Sequence, residues 1–150
     1  MSPSVRRLRS ERGAELIEMA LVTPILLLLL GGIVDFGFMF RSWEVVTNAA
    51  REGARVGALP SPYTCTNDPN GVVKERVNAY LTAAGIDGAA VTVASEAAGV
   101  DTVYSVCRVT VNLPQPLPSL GVFSQFFGGN LPSIPLAAAA TMRREAAAGP

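Results

Sequence analysis

The chain has no histidine among its 150 residues, only two cysteines, and no C-x-x-C pair. Without an imidazole it lacks the side chain that most often serves as a general base or metal ligand near neutral pH. Nothing of that kind is available to activate a thiolate either. No Gly-rich phosphate loop occurs. Asp68, Asp87, Glu96 and Asp101 are scattered through turns and helix boundaries, where acids commonly cap or face water. Asn67, Asp68 and Asn70 lie close together but lack the ligand order and downstream acid of a calcium loop. The usual sets for nucleophilic, acid–base and metal-assisted chemistry are therefore missing. The expectation is a non-enzyme with no cofactor, no metal and no small-molecule substrate. Charge is also sparse, with 12 basic and 12 acidic residues that cancel. No basic stripe with interleaved aromatics marks a nucleic-acid partner.

The most prominent positive feature is one long apolar stretch, residues 18–41. Sixteen residues without charge separate Glu18 from Asp35, including the unbroken aliphatic run 25–30. As a helix, residues 19–40 would be roughly 33 Å long, which matches a hydrocarbon thickness of about 30 Å. The stretch is apolar all round, and the rest of the chain is too small and too polar to wrap it. Membrane lipid is the expected solvent. Arg6, Arg7, Arg9 and Arg12 precede it with only Glu11 against them. The positive-inside rule then keeps the N-terminus in the cytoplasm and translocates the chain beyond Arg41. The expected topology is a single crossing, with the C-terminal domain on the translocated side.

The chain thus divides into three regions: a basic leader over 1–13, a helix over 14–59 and an α+β domain over 60–150. The leader, short and rich in Ser, Pro and Gly, is expected to be disordered. Pro24 removes one backbone hydrogen bond and should kink the helix. Gly31, Gly32 and Gly37 permit close helix approach. Asp35 is either a boundary residue or the partner of a basic group on another subunit. Beyond the membrane the helix turns amphipathic, with Arg41, Glu44, Asn48, Arg51, Glu52 and Arg55 on one face. Val46, Ala49, Ala50, Gly53 and Gly57 fall opposite, on a small-sided face open to this domain's sheet or to another subunit's helix. Glu52 can pair with Arg55 at i,i+3.

In the outer domain, residues 60–71 read as a loop and 72–84 as an amphipathic helix. Val73, Val77, Tyr80 and Leu81 should point inward, and Gly85 should end that helix. The period then changes to two, giving strands over 90–94, 102–113 and 134–145 and so a three-stranded antiparallel sheet. Cys107 shares a face with Val103, Val109, Val111 and Leu113. Cys65 and Cys107 lie on the translocated side, where an even count invites a disulfide; two buried thiols are the alternative. The Pro- and Phe-rich stretch 114–135, with Phe123, Phe126 and Phe127, is too apolar for a solvated linker. It either packs over the sheet or presents a contact patch to another subunit.

The N-terminal pattern also resembles a known family. Gly13 followed by Ala14 and, five positions after the glycine, by Glu18, directly before the apolar run, resembles a type IV prepilin cleavage site. Together with Asp35-Phe36-Gly37 and the stretch Thr47-Asn48-Ala49-Ala50-Arg51-Glu52-Gly53-Ala54-Arg55, it is similar to the TadE-like family. Members of that family are minor pilins, or pseudopilins, of the tight-adherence (Tad) pilus. The family usually has an aromatic residue after the glutamate, where this chain has Met19.

The resemblance implies cleavage after Gly13 by a membrane prepilin peptidase, leaving Ala14 as the first residue. It further implies a membrane-anchored pilin-like fold that co-assembles through its N-terminal helix with other pilins and pilus-assembly platform proteins. Pro24, Asp35, Asn48, Arg51, Glu52, Gly53 and Arg55 would then be packing or assembly positions. The competing reading is an uncleaved single-pass anchor whose outer domain scaffolds an envelope or secretion complex.

Overall fold

The computed structural model describes residues 4–59, 65, 68, 71–98, 104–131 and 133–144. The element order is α1 (Ser4–Ala58), α2 (Val72–Ala83), β1 (Ala90–Ala98), β2 (Tyr104–Gln115), α3 (Pro118–Phe126) and β3 (Ile134–Arg143). The α+β class and the long N-terminal helix agree with the sequence reading. Three elements differ from it, and β1 is one, running to Ala98 rather than ending at Ala94. The helix begins at Ser4 rather than at Ala14, so it takes in most of the leader expected to be disordered. The arginines, leucine and glutamate of that leader are good helix formers, and they extend a helix already nucleated downstream. A third helix, α3, forms within the Pro- and Phe-rich stretch 114–135, to which the sequence reading assigned no element.

The chain divides into two compact units, Met1–Gly37 with Leu117–Pro132 and Phe38–Pro116 with Ser133–Pro150. In the second unit the sheet has the order β1-β2-β3, with both pairs antiparallel. Its inward face is the one the alternation predicts: Cys107, Val109, Val111 and Leu113 are buried. Val103 lies outside the described residues. Across the ladder Val109 pairs with Val93 on one side and Ala140 on the other, and Leu113 pairs with Leu136. The alanine run of β3, which suits helix or strand by composition, is drawn into the sheet by this register. It sets Leu136, Ala138, Ala140 and Met142 half-buried against the core.

Over this face lie α2, through Val73, Val77 and Leu81, and the C-terminal part of α1, through Val46, Ala49, Ala50 and Ala54. Tyr80, expected inside, is instead 39% exposed. Leu81 occupies the inward position at this turn, and Tyr80 sits about 100° away around the helix. Asp68 caps α2 from outside, its carboxylate accepting from the N–H groups of Val73 and Lys74 at 3.3 and 2.9 Å. At the other end Gly85 adopts φ +74°. Its N–H donates to the Thr82 carbonyl and that of Ile86 to Leu81, closing the helix as expected. Cys65 and Cys107, 42 residues apart, form a disulfide inside this core.

Candidate functional site along the N-terminal helix

Three stretches of α1 carry the candidate site residues. The first is the segment 13–18. Gly13 lies within the helix, and a Cβ added there would meet nothing within 4 Å. Ala14 and Glu18 are exposed. The helix runs without a break through Gly13.

The second stretch is the apolar one. α1 is the one helix among the described residues long and apolar enough to cross a membrane, and none of its most apolar window is buried within the chain. Leu16, Leu21, Ile25, Leu27, Leu29 and Ile33 are all more than half exposed. The helix continues through Pro24. Just before it, the Thr23 hydroxyl donates to the Met19 carbonyl at 2.7 Å, tying a polar side chain back to the helix.

Asp35 is 2% exposed, and within the chain its partners are backbone groups. The N–H groups of Ser119 and Leu120 donate to its two carboxylate oxygens at 3.0 and 2.7 Å. These are first-turn donors of α3, which no residue of α3 could satisfy, so Asp35 acts as a remote N-cap. Pro118 opens the helix at a position where its missing N–H costs nothing. Gly31 permits the approach, since the Ser119 Cβ would lie 3.2 Å from a Cβ at that position. Phe123, Phe126 and Phe127 form an aromatic cluster with ring centroids 5.1 and 5.3 Å apart. With Leu16, Pro24, Leu27 and their neighbours these rings line an open apolar groove of about 780 Å³.

The third stretch is residues 48–55. Ala49, Ala50, Gly53 and Ala54 are buried, and Asn48, Arg51 and Arg55 are at least partly open to solvent. Of the two alternatives for the small-sided face, the chain's own domain takes it. A Cβ at Gly53 would collide with Val77 of α2 and crowd Val109 of β2; one at Gly57 would collide with the Cys107 sulfur. Glu52 stands at the edge of this contact. It pairs with Arg55 at 2.8 Å, as the spacing predicts, and with Arg76 of α2 at 3.1 Å. The Arg55 hydrogen bonds and those from Arg76 outweigh partial burial and hold its carboxyl down at about 2. The Arg76 contact had no sequence signal, because nothing local relates positions 52 and 76.

An exposed apolar helix long enough to cross a membrane, followed by a small disulfide-closed α+β domain, fits a pilin-like class of fold. Within it, the model of the TadE-like protein family matches residues 13–55, from Gly13 to Arg55. No curated protein matches the chain, and no solved structure does.

Proposed function

We propose that this chain is a minor pilin of a Tad-type pilus. It is made with a basic cytoplasmic leader, cut after Gly13 by a prepilin peptidase, and held in the cytoplasmic membrane with its disulfide-bonded domain outside. It then joins a filament or its base through α1. The observation that carries this reading is the family match over residues 13–55, which spans the cleavage segment, the apolar stretch and the packed segment 48–55. Two features support it. The aliphatic side chains of α1 lack cover within the chain, so lipid or neighbouring helices must supply it. Gly13 has open space around it, so a glycine there serves something other than packing in this chain.

Residues 48–55 then divide their work. Gly53 and Glu52 join α1 to its own domain, whereas Asn48 and Arg51 point outward and are the positions that neighbouring subunits can read. Glu18 is expensive to leave alone in hydrocarbon. A new amino terminus at Ala14, on this subunit or a neighbour, would offset that cost.

The continuous helix through Gly13 favours a second reading, in which the chain stays uncleaved and serves as a single-pass scaffold for an envelope complex. N-terminal sequencing of protein from piliated cells separates the two. The pilin reading expects Ala14 as the first residue and uncut protein in Gly13→Ala and Glu18→Ala. An intact leader during active piliation, with both variants piliating normally, would overturn it.

A further inference from the structure

We infer that the β2–β3 connection is a second membrane-embedded element: α3 enters the hydrocarbon beside α1, and acyl chains cover Val122, Phe126 and Phe127. This rests on the reading of α1 as membrane-spanning. Three independent observations support it.

The first is composition. No Asp, Glu, Lys or Arg occurs between Arg108 and Arg143, a run of 34 residues. It takes in the second half of β2, nearly all of β3 and the whole connection between them, a stretch where a water-soluble domain would ordinarily carry charge. Within it Val122, Phe126 and Phe127 are 71%, 84% and 68% exposed. In water that would leave a large apolar patch bare.

The second is backbone accounting. In hydrocarbon every N–H and C=O needs an internal partner, and a short helix is most vulnerable at its ends. Both ends of α3 are closed. Asp35 accepts from Ser119 and Leu120, and Gly121 donates to the Leu117 carbonyl. At the far end Gly128, at φ +74°, donates to the Gln125 carbonyl and Gly129 to that of Ser124, a complete Schellman closure. The Ser124 hydroxyl returns to the Gly121 carbonyl at 2.8 Å. The bonds that close the two ends of α3 thus come from the chain itself, which suits a setting poor in water.

The third is continuity. The first turn of α3 meets α1 at Gly31 and Asp35, and its phenylalanines line one groove with Leu16, Met19, Pro24 and Leu27. That side of α1 belongs to the stretch assigned to lipid, so α3 lies at the same depth. The occupant of the groove and of the exposed face is the acyl region of the bilayer. The arrangement also accounts for an acid within the apolar stretch. Asp35 faces the positive end of a helix dipole there rather than bare hydrocarbon.

Trp43 is the single tryptophan of the chain, which makes fluorescence a clean readout. In a Trp43→Phe background, Phe126→Trp, Leu29→Trp and Asn78→Trp are each placed in the full chain. The proteins are reconstituted in phosphatidylcholine–phosphatidylglycerol vesicles carrying lipids brominated at mid-chain. Phe126→Trp should lose emission to the same extent as Leu29→Trp, while Asn78→Trp keeps its emission. Quenching of Leu29→Trp without Phe126→Trp would overturn the inference and leave the membrane-spanning helix standing. An unquenched Phe126→Trp whose Phe126→Cys counterpart cross-links to a second copy would also overturn it, because protein would then cover the face. No quenching at either site would remove the membrane reading itself, and the inference with it.

Discussion

Asp35 Oδ2 lies 2.7 Å from the backbone nitrogen of Leu120, joining positions 85 residues apart in the sequence. With the Ser119 N–H on the other oxygen, one carboxylate satisfies two of the orphan donors of α3. Removing a helix cap costs about 0.5–2 kcal/mol, and here two buried donors would be left unpaired. Asp35→Ala should therefore raise amide exchange at Ser119 and Leu120 by roughly tenfold or more, since about 1.4 kcal/mol is a factor of ten. Asp35→Asn keeps one acceptor oxygen and should fall between. Exchange measured by mass spectrometry in vesicles checks this, and unchanged protection in Asp35→Ala would refute the capping role.

Gly53 and Gly13 offer a matched pair. A methyl group at either position gains about 1 kcal/mol of helix propensity. At Gly53 it also meets the Val77 methyl, held by a stiff β-branched side chain, and crowds Val109. Overpacking typically costs about 1–3 kcal/mol, so the net effect at Gly53 should be destabilising. Gly13→Ala has nothing to meet and should leave the melting temperature of the outer domain unchanged. Thermal melts by circular dichroism in detergent would show the contrast.

The disulfide joins Cys65 to Cys107 within the buried core. Closing a loop of 42 residues limits the unfolded chain by about 4 kcal/mol on the chain-entropy estimate. A Cys65→Ala/Cys107→Ala double variant should lose roughly 2–5 kcal/mol, read from its denaturation midpoint. Iodoacetamide should label the native protein only after reduction and unfolding.

Glu52 sets a pH dependence of known sign. Its carboxyl is held at about 2 against an ordinary 4.5, with Arg55 the largest cause and Arg76 adding to it. A depressed carboxyl contributes fully above about 4.5, and that contribution is lost as pH falls toward 2. Exposed ion pairs are worth about 0.2–1 kcal/mol, and both guanidinium partners here are more than half exposed. Glu52→Gln should melt a few degrees below the unaltered protein at pH 7, and the gap should close between pH 4.5 and 2. A gap constant across that range would show that the charge is not what matters.

Relationships that are local and periodic are legible in the sequence. The buried set Cys107, Val109, Val111 and Leu113 comes from a period of two, and the split of residues 46–57 into charged and small faces comes from a helical wheel. Glu52 and Arg55 announce each other by spacing. Arg76 does not, because its meeting with Glu52 depends on how α2 crosses α1. Asp35 is conspicuous as an acid in an apolar run, but its partner is a backbone end, which has no letter in the sequence. α3 itself is obscured by Gly121 and by the prolines around it. Pro118 at its first turn and Gly128 just past its end are the available signs. Tyr80 shows the opposite failure, where a plausible inward position goes to its neighbour Leu81.

Gly57 rests against the Cys107 sulfur, and Gly53 against Val77 and Val109. Positions without side chains leave no flexible linkage to stretch, so a pull on this end of α1 would pass straight into the strand that carries the covalent staple. If this polypeptide serves in a load-bearing fibre, the helix segment 46–57 and the sheet beneath it would yield together, as one mechanical piece.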